Sequence, residues 1–463
     1  MATRTEFDSI GSFEVPELAY YGAQTARSLV NFPIGDERMP LAVVHALAML
    51  KRAAAEVNAE LGLLEPELAV LIAQASDDVR EGRLDEEFPL KVFQTGSGTH
   101  TNMNVNEVIA GRANELAGHG RGGRVPVHPN DHVNRSQSSN DAFPTAMSIA
   151  AVEALEARVI PAIRGLVATL NERASAFGDV VKVGRTHLMD AVPMTVGQEI
   201  SGWTAALQQG LSVLEGASAG LLPLAAGGTA VGTGLGSHPE FARRVAERIA
   251  LRTGRPFVSA PNKFACLAGH DSFVAAHAAL KQLATVCFKL ANDVRLLASG
   301  PRTGLGELRL PALEPGSSMM PGKVNPTQAE ALAMVCLEVL GNDVTLSMAA
   351  AHGQLQLNVH KPLIIHTFLR SARLLGDAVA SFDARCVRGW ELERETIARH
   401  LTNSLMLATA LVPALGYDLA AKVANHAHAR GLSLRQAAVE VAGLSEEAFD
   451  GLVRPDAMAH ALD

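Results

Sequence analysis

The chain has 463 residues, of which 48% are hydrophobic and 4% aromatic, and its formal net charge is −8. This length can bury a large core in two or three domains, and the predominance of Ala and Leu favours helix over sheet. The net negative charge and the lack of a cluster of basic residues argue against nucleic acid as a main partner.

No stretch gives a convincing membrane-spanning or signal segment. The uncharged run 216–237 contains seven glycines and Pro223, and the N-terminal residues lack an apolar signal core. The four cysteines, which form no Cys-x-x-Cys pair, are Cys266, Cys287, Cys336 and Cys386. This spacing indicates reduced structural thiols, not a zinc or iron–sulfur site. We therefore expect a cytoplasmic protein.

The first part of the chain predicts a mostly helical N-terminal domain over residues 1–137. Residues 1–40 mix short apolar runs with Gly, Pro and Asn, which favours irregular structure with a small hairpin. Apolar residues then recur at helical spacing over 41–61, before Gly62, and a second helix is predicted from Glu65-Pro66 to about residue 80.

A polar segment, 95–110, follows with the sequence Thr-Gly-Ser-Gly-Thr-His-Thr-Asn before a predicted helix from about Met103. Gly98 lets backbone amides approach a ligand, while Ser97 and Thr99 supply hydroxyl donors. Hydroxyls and amides at a helix start can bind a carboxylate. Composition alone equally allows a polar N-cap loop.

A second polar tract, 128–141, begins with His128-Pro129-Asn130-Asp131 and ends with Ser138-Ser139-Asn140-Asp141. The spacing of His128 and His132 would suit a metal on a helix, but the intervening Pro and Asn indicate a turn. A polar loop is therefore the better interpretation, and no metal site is predicted.

Five long helices are predicted to form an antiparallel bundle over residues 138–393. Thr145 is the expected N-cap of the first, and Pro161 is expected to kink it. The predicted ranges are 145–175, 196–214, 264–298, 326–350 and 361–382. Shorter amphipathic patterns after residue 393 predict a small helical C-terminal domain, 394–463. The predicted fold is thus mainly α, with a central long-helix bundle and two smaller helical domains.

Segment 183–194, Val-Gly-Arg-Thr-His-Leu-Met-Asp-Ala-Val-Pro-Met, carries Thr186 and His187. Histidine titrates near neutral pH and is therefore a candidate for proton transfer. A lone histidine is more often structural, and this chain has 16 of them.

The most informative stretch is 316–326, Gly-Ser-Ser-Met-Met-Pro-Gly-Lys-Val-Asn-Pro, which we call the signature loop. It places Ser317, Ser318 and Lys323 just before a predicted helix that Asn325 would cap. A cation beside a helix N-terminus is unfavourable unless an anion also binds there. The loop is either a carboxylate-binding element or an ordinary Gly/Pro turn before a capped helix.

These motifs together resemble the fumarase/aspartase superfamily, and within it the class II (iron-independent) fumarases. The resemblance extends over nearly the whole chain. It implies the superfamily fold, a homotetramer whose active sites each draw on three subunits, and a C4 dicarboxylate substrate with no metal or organic cofactor. His187 favours fumarases, since aspartases typically have Gln there. Departures from the fumarase pattern, whose effects stay open, are His100, Met189, Gln356 and His360.

The resemblance also implies residue roles for reversible hydration of fumarate to L-malate. Ser317 would remove the C3 proton of malate, His187 would exchange a proton with the departing hydroxyl, and Glu330 would polarise His187. Sequence alone does not separate Ser317 from Ser318. The implied substrate-binding residues are Ser97, Gly98, Thr99, Ser138, Ser139, Asn140, Thr186, Ser318, Lys323, Val324 and Asn325, and the implied secondary dicarboxylate site is His128, Pro129, Asn130 and Asp131. The alternatives are an aspartate ammonia-lyase, another lyase of the superfamily, or a non-catalytic structural homologue.

Overall fold

The computed structural model describes residues 2–460 and confirms the predicted mainly α fold. Its described residues form two compact units. The first unit is made of residues 2–161, 212–284 and 337–376, and the second of residues 162–211, 285–336 and 377–460. The domain boundaries predicted after residues 137 and 393 stay a prediction.

The helices are named α1 to α18 in chain order. They are α1 Ala23–Asn31, α2 Leu41–Glu60, α3 Pro66–Arg80, α4 Thr99–Leu116, α5 Ser139–Ala154, α6 Ile160–Ala176, α7 Val196–Ser218, α8 Phe241–Thr253, α9 Lys263–Ala268, α10 Asp271–Leu297, α11 Thr327–Ala351, α12 Lys361–Arg385, α13 Arg394–Asn403, α14 Val412–Leu415, α15 Tyr417–Arg430, α16 Leu434–Ala442, α17 Glu446–Leu452 and α18 Pro455–Ala459.

The strands of the described chain are short and pair two by two. They are β1 Thr3–Phe7, β2 Ser12–Pro16, β3 Val181–Thr186, β4 Met189–Thr195, β5 Pro223–Leu224, β6 Val258–Ser259, β7 Leu308–Arg309 and β8 Glu391–Leu392. The pairs β1–β2, β3–β4 and β7–β8 are antiparallel, whereas β5–β6 is parallel. The β3–β4 hairpin, which contains His187, was not among the predicted elements.

Several predicted helix boundaries are wrong for local reasons. The helix expected to start at Thr145 begins at Ser139, because Ser138 and Asp141 form a capping box. The side chain of Thr145 instead donates to the carbonyl of Asp141 within the helix, at 2.8 Å. Just before Pro161, where the sequence predicts a kink, a π-helical segment, Leu155–Val159, separates α5 from α6.

Two further predicted boundaries differ from the structure. The single helix expected over 264–298 is divided into α9 and α10, because Gly269 takes an extended conformation at the end of α9. The helix expected from Pro326 begins at Thr327. Asn325, the predicted cap, donates its side-chain amide to the carbonyl of Gly316 at 2.6 Å.

The core of the first unit surrounds α2, which packs against α3, α5 and α8. Val43, Leu47 and Leu50 on α2 are completely buried, as is Lys51 in the same helix. In the second unit, residues near the C-terminus form a separate apolar cluster around Leu411, Val423 and Phe449. This burial is the main source of stability for helices of these lengths.

Candidate active site

Two helix N-termini in the first unit bring together hydroxyl groups that the sequence separates by 40 residues. The Ser97 hydroxyl lies 2.7 Å from that of Thr99, which in turn lies 2.6 Å from that of Ser139. We call Ser97, Thr99, Ser139 and the adjacent Asn140 the hydroxyl cradle. Both helices direct their N-terminal amides toward this region, which suits an anion.

Close backbone contacts explain two glycines beside the hydroxyl cradle. A Cβ atom on Gly96 would lie 1.5 Å from the carbonyl oxygen of Val359. Gly98 has φ +81°, and a Cβ there would lie 2.3 Å from the ring of Phe143. Any larger residue would displace the loop that carries Ser97.

Asp141 organises the start of α5 beneath the hydroxyl cradle. One carboxylate oxygen accepts from the amide of Ser138 at 2.9 Å, and the other accepts from Gly227 and Thr229 at 2.8 and 2.9 Å. Burial raises the pKa of Asp141 to about 6, against the lowering effect of these bonds. Ser138 itself is an N-cap, since its hydroxyl accepts from the amide of Asn140.

The Asn140 side chain donates to the carbonyl of Ala230 at 2.8 Å. This bond orients the amide that the resemblance assigns to substrate. The tract around Gly227 is therefore a support for α5, a role that its sequence did not indicate.

His100, where fumarases usually have Gln, faces α1. Its Nδ1 lies 2.9 Å from the Ser28 hydroxyl, and its ring centroid lies 5.3 Å from that of Phe32. Partial burial lowers the pKa of His100. These contacts indicate a packing role between α1 and α4.

The segment His128–Asp131 enters a short π-helical turn, Pro129–Val133. The Nδ1 atom of His128 accepts from the amides of Asn130 and Asp131, both at 3.1 Å. Burial lowers the pKa of His128, so its imidazole is a neutral cap that can present Nε2–H outward. No cluster of three or more His, Cys, Asp or Glu residues suited to a metal occurs in the described chain.

In the second unit, His187 lies at the tip of the β3–β4 hairpin. Thr186 and Met189 are paired, so His187 and Leu188 form a two-residue turn. Both have positive φ, +56° and +60°, as a type I′ turn requires. Non-glycine residues rarely adopt this conformation, and such strain is concentrated at functional sites.

A buried ionic cluster fixes this hairpin. Glu307, only 3% exposed, contacts Lys182 at 3.0 Å, Arg185 at 2.6 Å and His400 at 3.0 Å. Lys182 also binds Glu199 at 2.8 Å. Burial acts to raise the pKa of Glu307, but the Arg185 hydrogen bond and the charge of Lys182 outweigh it, and the pKa lies below its usual value.

Two hydrogen bonds join the two ends of the signature loop. The amide of Gly316 donates to the carbonyl of Lys323 at 2.8 Å, beside the bond from Asn325. Ser317 is half-buried, and its hydroxyl oxygen accepts from the amides of Met319 and Met320 at 3.2 and 2.9 Å. Ser318 is exposed. The two serines, equivalent by sequence, thus have different surroundings.

A groove of about 840 Å³ borders the signature loop. Lys323, Val324 and Asn325 line it, together with Arg295 and Arg309. Glu393 also lines the groove and pairs with Arg309 at 3.4 Å, so Arg295 and Lys323 supply the net positive charge that suits a carboxylate-bearing ligand.

The predicted site residues are thus divided between the two units of the described chain. Ser97 to Asn140 belong to the first unit, whereas Thr186, His187, the signature loop and Glu330 belong to the second. Glu330 lies in the first turn of α11, and no hydrogen bond joins it to His187 within the described chain. The assigned roles stay predictions.

Comparison with known families adds independent evidence. A family described as "Lyase" matches residues 11–341, and one described as "Fumarase C C-terminus" matches residues 407–460. A protein named fumarate hydratase class II from Pseudomonas syringae pv. tomato is 58% identical over 99% of both chains. One with the same name from Neisseria meningitidis is 56% identical over 99% of this chain and 100% of its own.

Solved structures give the same result. The class II fumarase from Schistosoma mansoni has a TM-score of 0.97 and 46% identity, covering 100% of both chains. A structure titled fumarate lyase:delta crystallin from Brucella melitensis, bound to cobalt, has a TM-score of 0.95 and 42% identity, covering 99% of this chain and 100% of the other.

Proposed function

The chain belongs to the class II fumarate hydratases of the fumarase/aspartase superfamily, and from that premise we propose that it catalyses the reversible hydration of fumarate to L-malate. The observation that carries this proposal is 58% identity to a protein of that name, over 99% of each chain. His187 also supports water, not ammonia, as the second substrate.

In the proposed mechanism, Ser317 removes the C3 proton of malate. A serine hydroxyl is a weak base unless its alkoxide is stabilised. The amides of Met319 and Met320 already donate to its oxygen, and they would stabilise the negative charge that forms there. This contact favours Ser317 over Ser318 as the base.

Proton removal leaves an aci-carboxylate with charge on the adjacent carboxyl group. Lys323 and Asn325 are the candidates to stabilise that charge, because catalysis requires tighter binding of the transition state than of the ground state. His187, supported by Glu330, then donates a proton to the departing hydroxyl. The hydroxyl cradle binds the other carboxylate.

We further propose that the protein self-associates as a homotetramer with shared active sites. On α11, Met334, Leu337, Val344 and Met348 are each more than half exposed. Their successive spacings of three, seven and four residues place them on one face of the helix. A large exposed apolar stripe of this kind marks an interaction surface, and a second copy of the chain is the proposed occupant.

By length and composition alone, α10 and α11 could each cross a membrane, with half and one third of their apolar windows buried. Core helices of other proteins pass the same test, so this is weak evidence. A subunit interface accounts for the exposed stripe on α11. We propose a cytoplasmic enzyme of the tricarboxylic acid cycle, in keeping with free thiols at all four cysteines.

The test is ultraviolet absorbance of the purified protein mixed with L-malate and, separately, with L-aspartate. Fumarate has a conjugated double bond that neither starting compound has, so its formation raises the absorbance. A rise with malate alone supports the proposal. A rise with aspartate alone would establish an ammonia-lyase, and no rise with either would favour another substrate or a structural homologue.

A further inference from the structure

Two buried lysines and one partly buried lysine in the first unit surround Asp141 with basic side chains. Lys51, Lys263 and Lys361 each interact electrostatically with its carboxylate. Asp141 lies directly after Asn140 of the hydroxyl cradle. Burial lowers the pKa of Lys51 and Lys361 to about 7 and that of Lys263 to about 8, so a bound anion would increase the positive charge that this region holds at neutral pH.

Two of these lysines have polar partners. The ammonium of Lys51 donates to the side-chain oxygens of Asn102, Asn134 and Gln137, at 2.8 to 3.0 Å. That of Lys263 donates to the carbonyl of Leu224 and the hydroxyl of Ser259, at 2.7 and 2.8 Å. Both amines therefore have hydrogen-bond partners within the fold itself.

Lys361 differs from both. Its side chain is completely buried, and its Nζ atom has no hydrogen-bond partner among residues 2–460. Asp141 does not supply one, since its oxygens accept from the amides of Ser138, Gly227 and Thr229. A buried amine without a hydrogen-bond partner costs free energy. A bound group from outside the described chain would supply the missing hydrogen-bond acceptor.

The position of Lys361 indicates which group that is. Lys361 is the first residue of α12, and its amide donates to the carbonyl of Gly96 at 3.1 Å, directly before Ser97. Its charge acts on Asp141, directly after Asn140. Both contacts thus involve residues that directly adjoin the hydroxyl cradle in sequence.

The surroundings favour an anion over a cation or a neutral ligand. Burial and the charge of Lys361 lower the pKa of His270 to about 3, so this histidine is neutral. Burial lowers the pKa of Lys361 to about 7, against the raising effect of Asp141. A bound carboxylate would raise that pKa and keep the ammonium charged.

We propose that Lys361 is an anion-binding residue of the hydroxyl cradle, whose ammonium group pairs with one carboxylate of the bound dicarboxylate. The inference rests on the proposed function and adds a residue from α12 to a site otherwise formed by the N-termini of α4 and α5. The hydroxyls would orient the carboxylate, and Lys361 would supply the charge.

The test uses calorimetric titration of the full-length protein with succinate, a saturated C4 dicarboxylate that cannot react. Lys361→Met should raise the dissociation constant about 10- to 100-fold, as expected for loss of a hydrogen bond to a charged group. The melting temperature should stay equal or rise, because the variant removes an unpartnered buried amine. Fumarate KM should increase by more than kcat decreases.

Lys263→Met is the matched control, since it also removes an amine near Asp141, but a partly buried one that already has hydrogen-bond partners within the fold. It should change the succinate dissociation constant by less than about threefold and lower the melting temperature. Lys361→Gln, which keeps a donor without the charge, should resemble Lys361→Met in binding.

An unchanged dissociation constant in Lys361→Met would overturn the inference, as would a marked fall in melting temperature in both Lys361 variants, which would make the residue structural. Failure of the two proposals can be distinguished. Wild-type protein that hydrates fumarate while Lys361→Met binds succinate equally well contradicts only the role of Lys361. Wild-type protein that binds succinate through Lys361 but has no hydratase activity contradicts only the proposed reaction.

Discussion

At the scale of single residues, the two serines of the signature loop make a sharp prediction. Ser317 accepts two amide hydrogen bonds, whereas Ser318 is exposed. Ser317→Ala should lower kcat for malate dehydration by about 10²- to 10⁴-fold, the usual contribution of a general base. Ser318→Ala should change KM more than kcat, because it removes a binding group.

The check is steady-state kinetics of both variants by the ultraviolet absorbance of fumarate, with melting temperatures to verify folding. Neither residue is part of a buried core, so both variants should melt within about 2 °C of the wild-type protein. A larger kcat loss in Ser318→Ala than in Ser317→Ala would reverse the assignment.

The sequence predicted residue types at the candidate site better than it predicted their partners. Ser97, Thr99 and Asn140 lie in short motifs whose local chemistry can be interpreted directly. The bonds from Asn140 to Ala230 and from Thr229 to Asp141 join residues about 90 positions apart. Such contacts depend on tertiary packing, which no local pattern encodes.

At the scale of elements, the β3–β4 hairpin shows how a fold can maintain a strained turn. The positive φ angles of His187 and Leu188 require support from outside the turn. Glu307 gives that support by contacting Lys182 and Arg185 on β3 and His400 on α13. The period-2 alternation that identifies strands is weak here, because the strands are short and one has a bulge.

Glu307→Gln should destabilise the protein and misplace His187. The change leaves Arg185 and Lys182 with less negative charge in a buried setting, at a cost of about 3–5 kcal/mol. Chemical denaturation should show this loss, and kcat should fall because the general acid is less well positioned.

The matched control is Glu391→Gln, which affects an exposed ion pair with Arg309 between β7 and β8. Exposed pairs contribute about 0–1 kcal/mol, so this variant should be almost as stable as wild type. Equal losses of stability in the two variants would show that the Glu307 cluster is not the hairpin's support.

A second polar cluster joins three long helices. His277 on α10 lies 3.0 Å from Asp343 on α11 and 2.9 Å from Ser371 on α12. Burial lowers the pKa of His277, although Asp343 acts to raise it and nearby Lys281 acts to lower it further. The folded protein therefore binds a proton at His277 less readily than the unfolded chain does.

Stability should consequently fall as pH drops from about 7 to 5. In the unfolded chain His277 takes up a proton near pH 6.5, whereas in the folded protein it binds that proton only at lower pH. His277→Gln removes this part of the dependence, so its melting temperature should vary less over that range. His428→Gln, at an exposed histidine on α15, should keep the wild-type slope. Parallel curves for wild type and His277→Gln would contradict the argument.

At the scale of the whole molecule, the division into two units matters for function. The hydroxyl cradle belongs to one unit, while His187 and Ser317 belong to the other. The fold class followed from helical periodicity and from resemblance, because long apolar repeats are a strong signal. The homotetramer was implied by the resemblance alone, because an exposed apolar stripe on one chain does not specify the geometry of its partner.

The proposed tetramer can be tested by mixing two inactive subunits. His187→Asn removes the general acid and Ser317→Ala removes the base, so each homotetramer should be almost inactive. If a site takes these residues from different subunits, equal random mixing leaves about one quarter of sites with both intact. If each site uses one chain for both residues, mixing restores none.

Co-expression with two affinity tags, followed by sequential purification, would isolate the hybrids for assay by fumarate absorbance. Recovery near one quarter of wild-type activity would support shared sites. A mixture of two differently tagged Ser317→Ala subunits controls for effects of purification and should stay inactive. Hybrids verified as tetramers but without activity would refute the sharing of His187 and Ser317 between chains, while leaving the hydratase assignment to the malate assay alone.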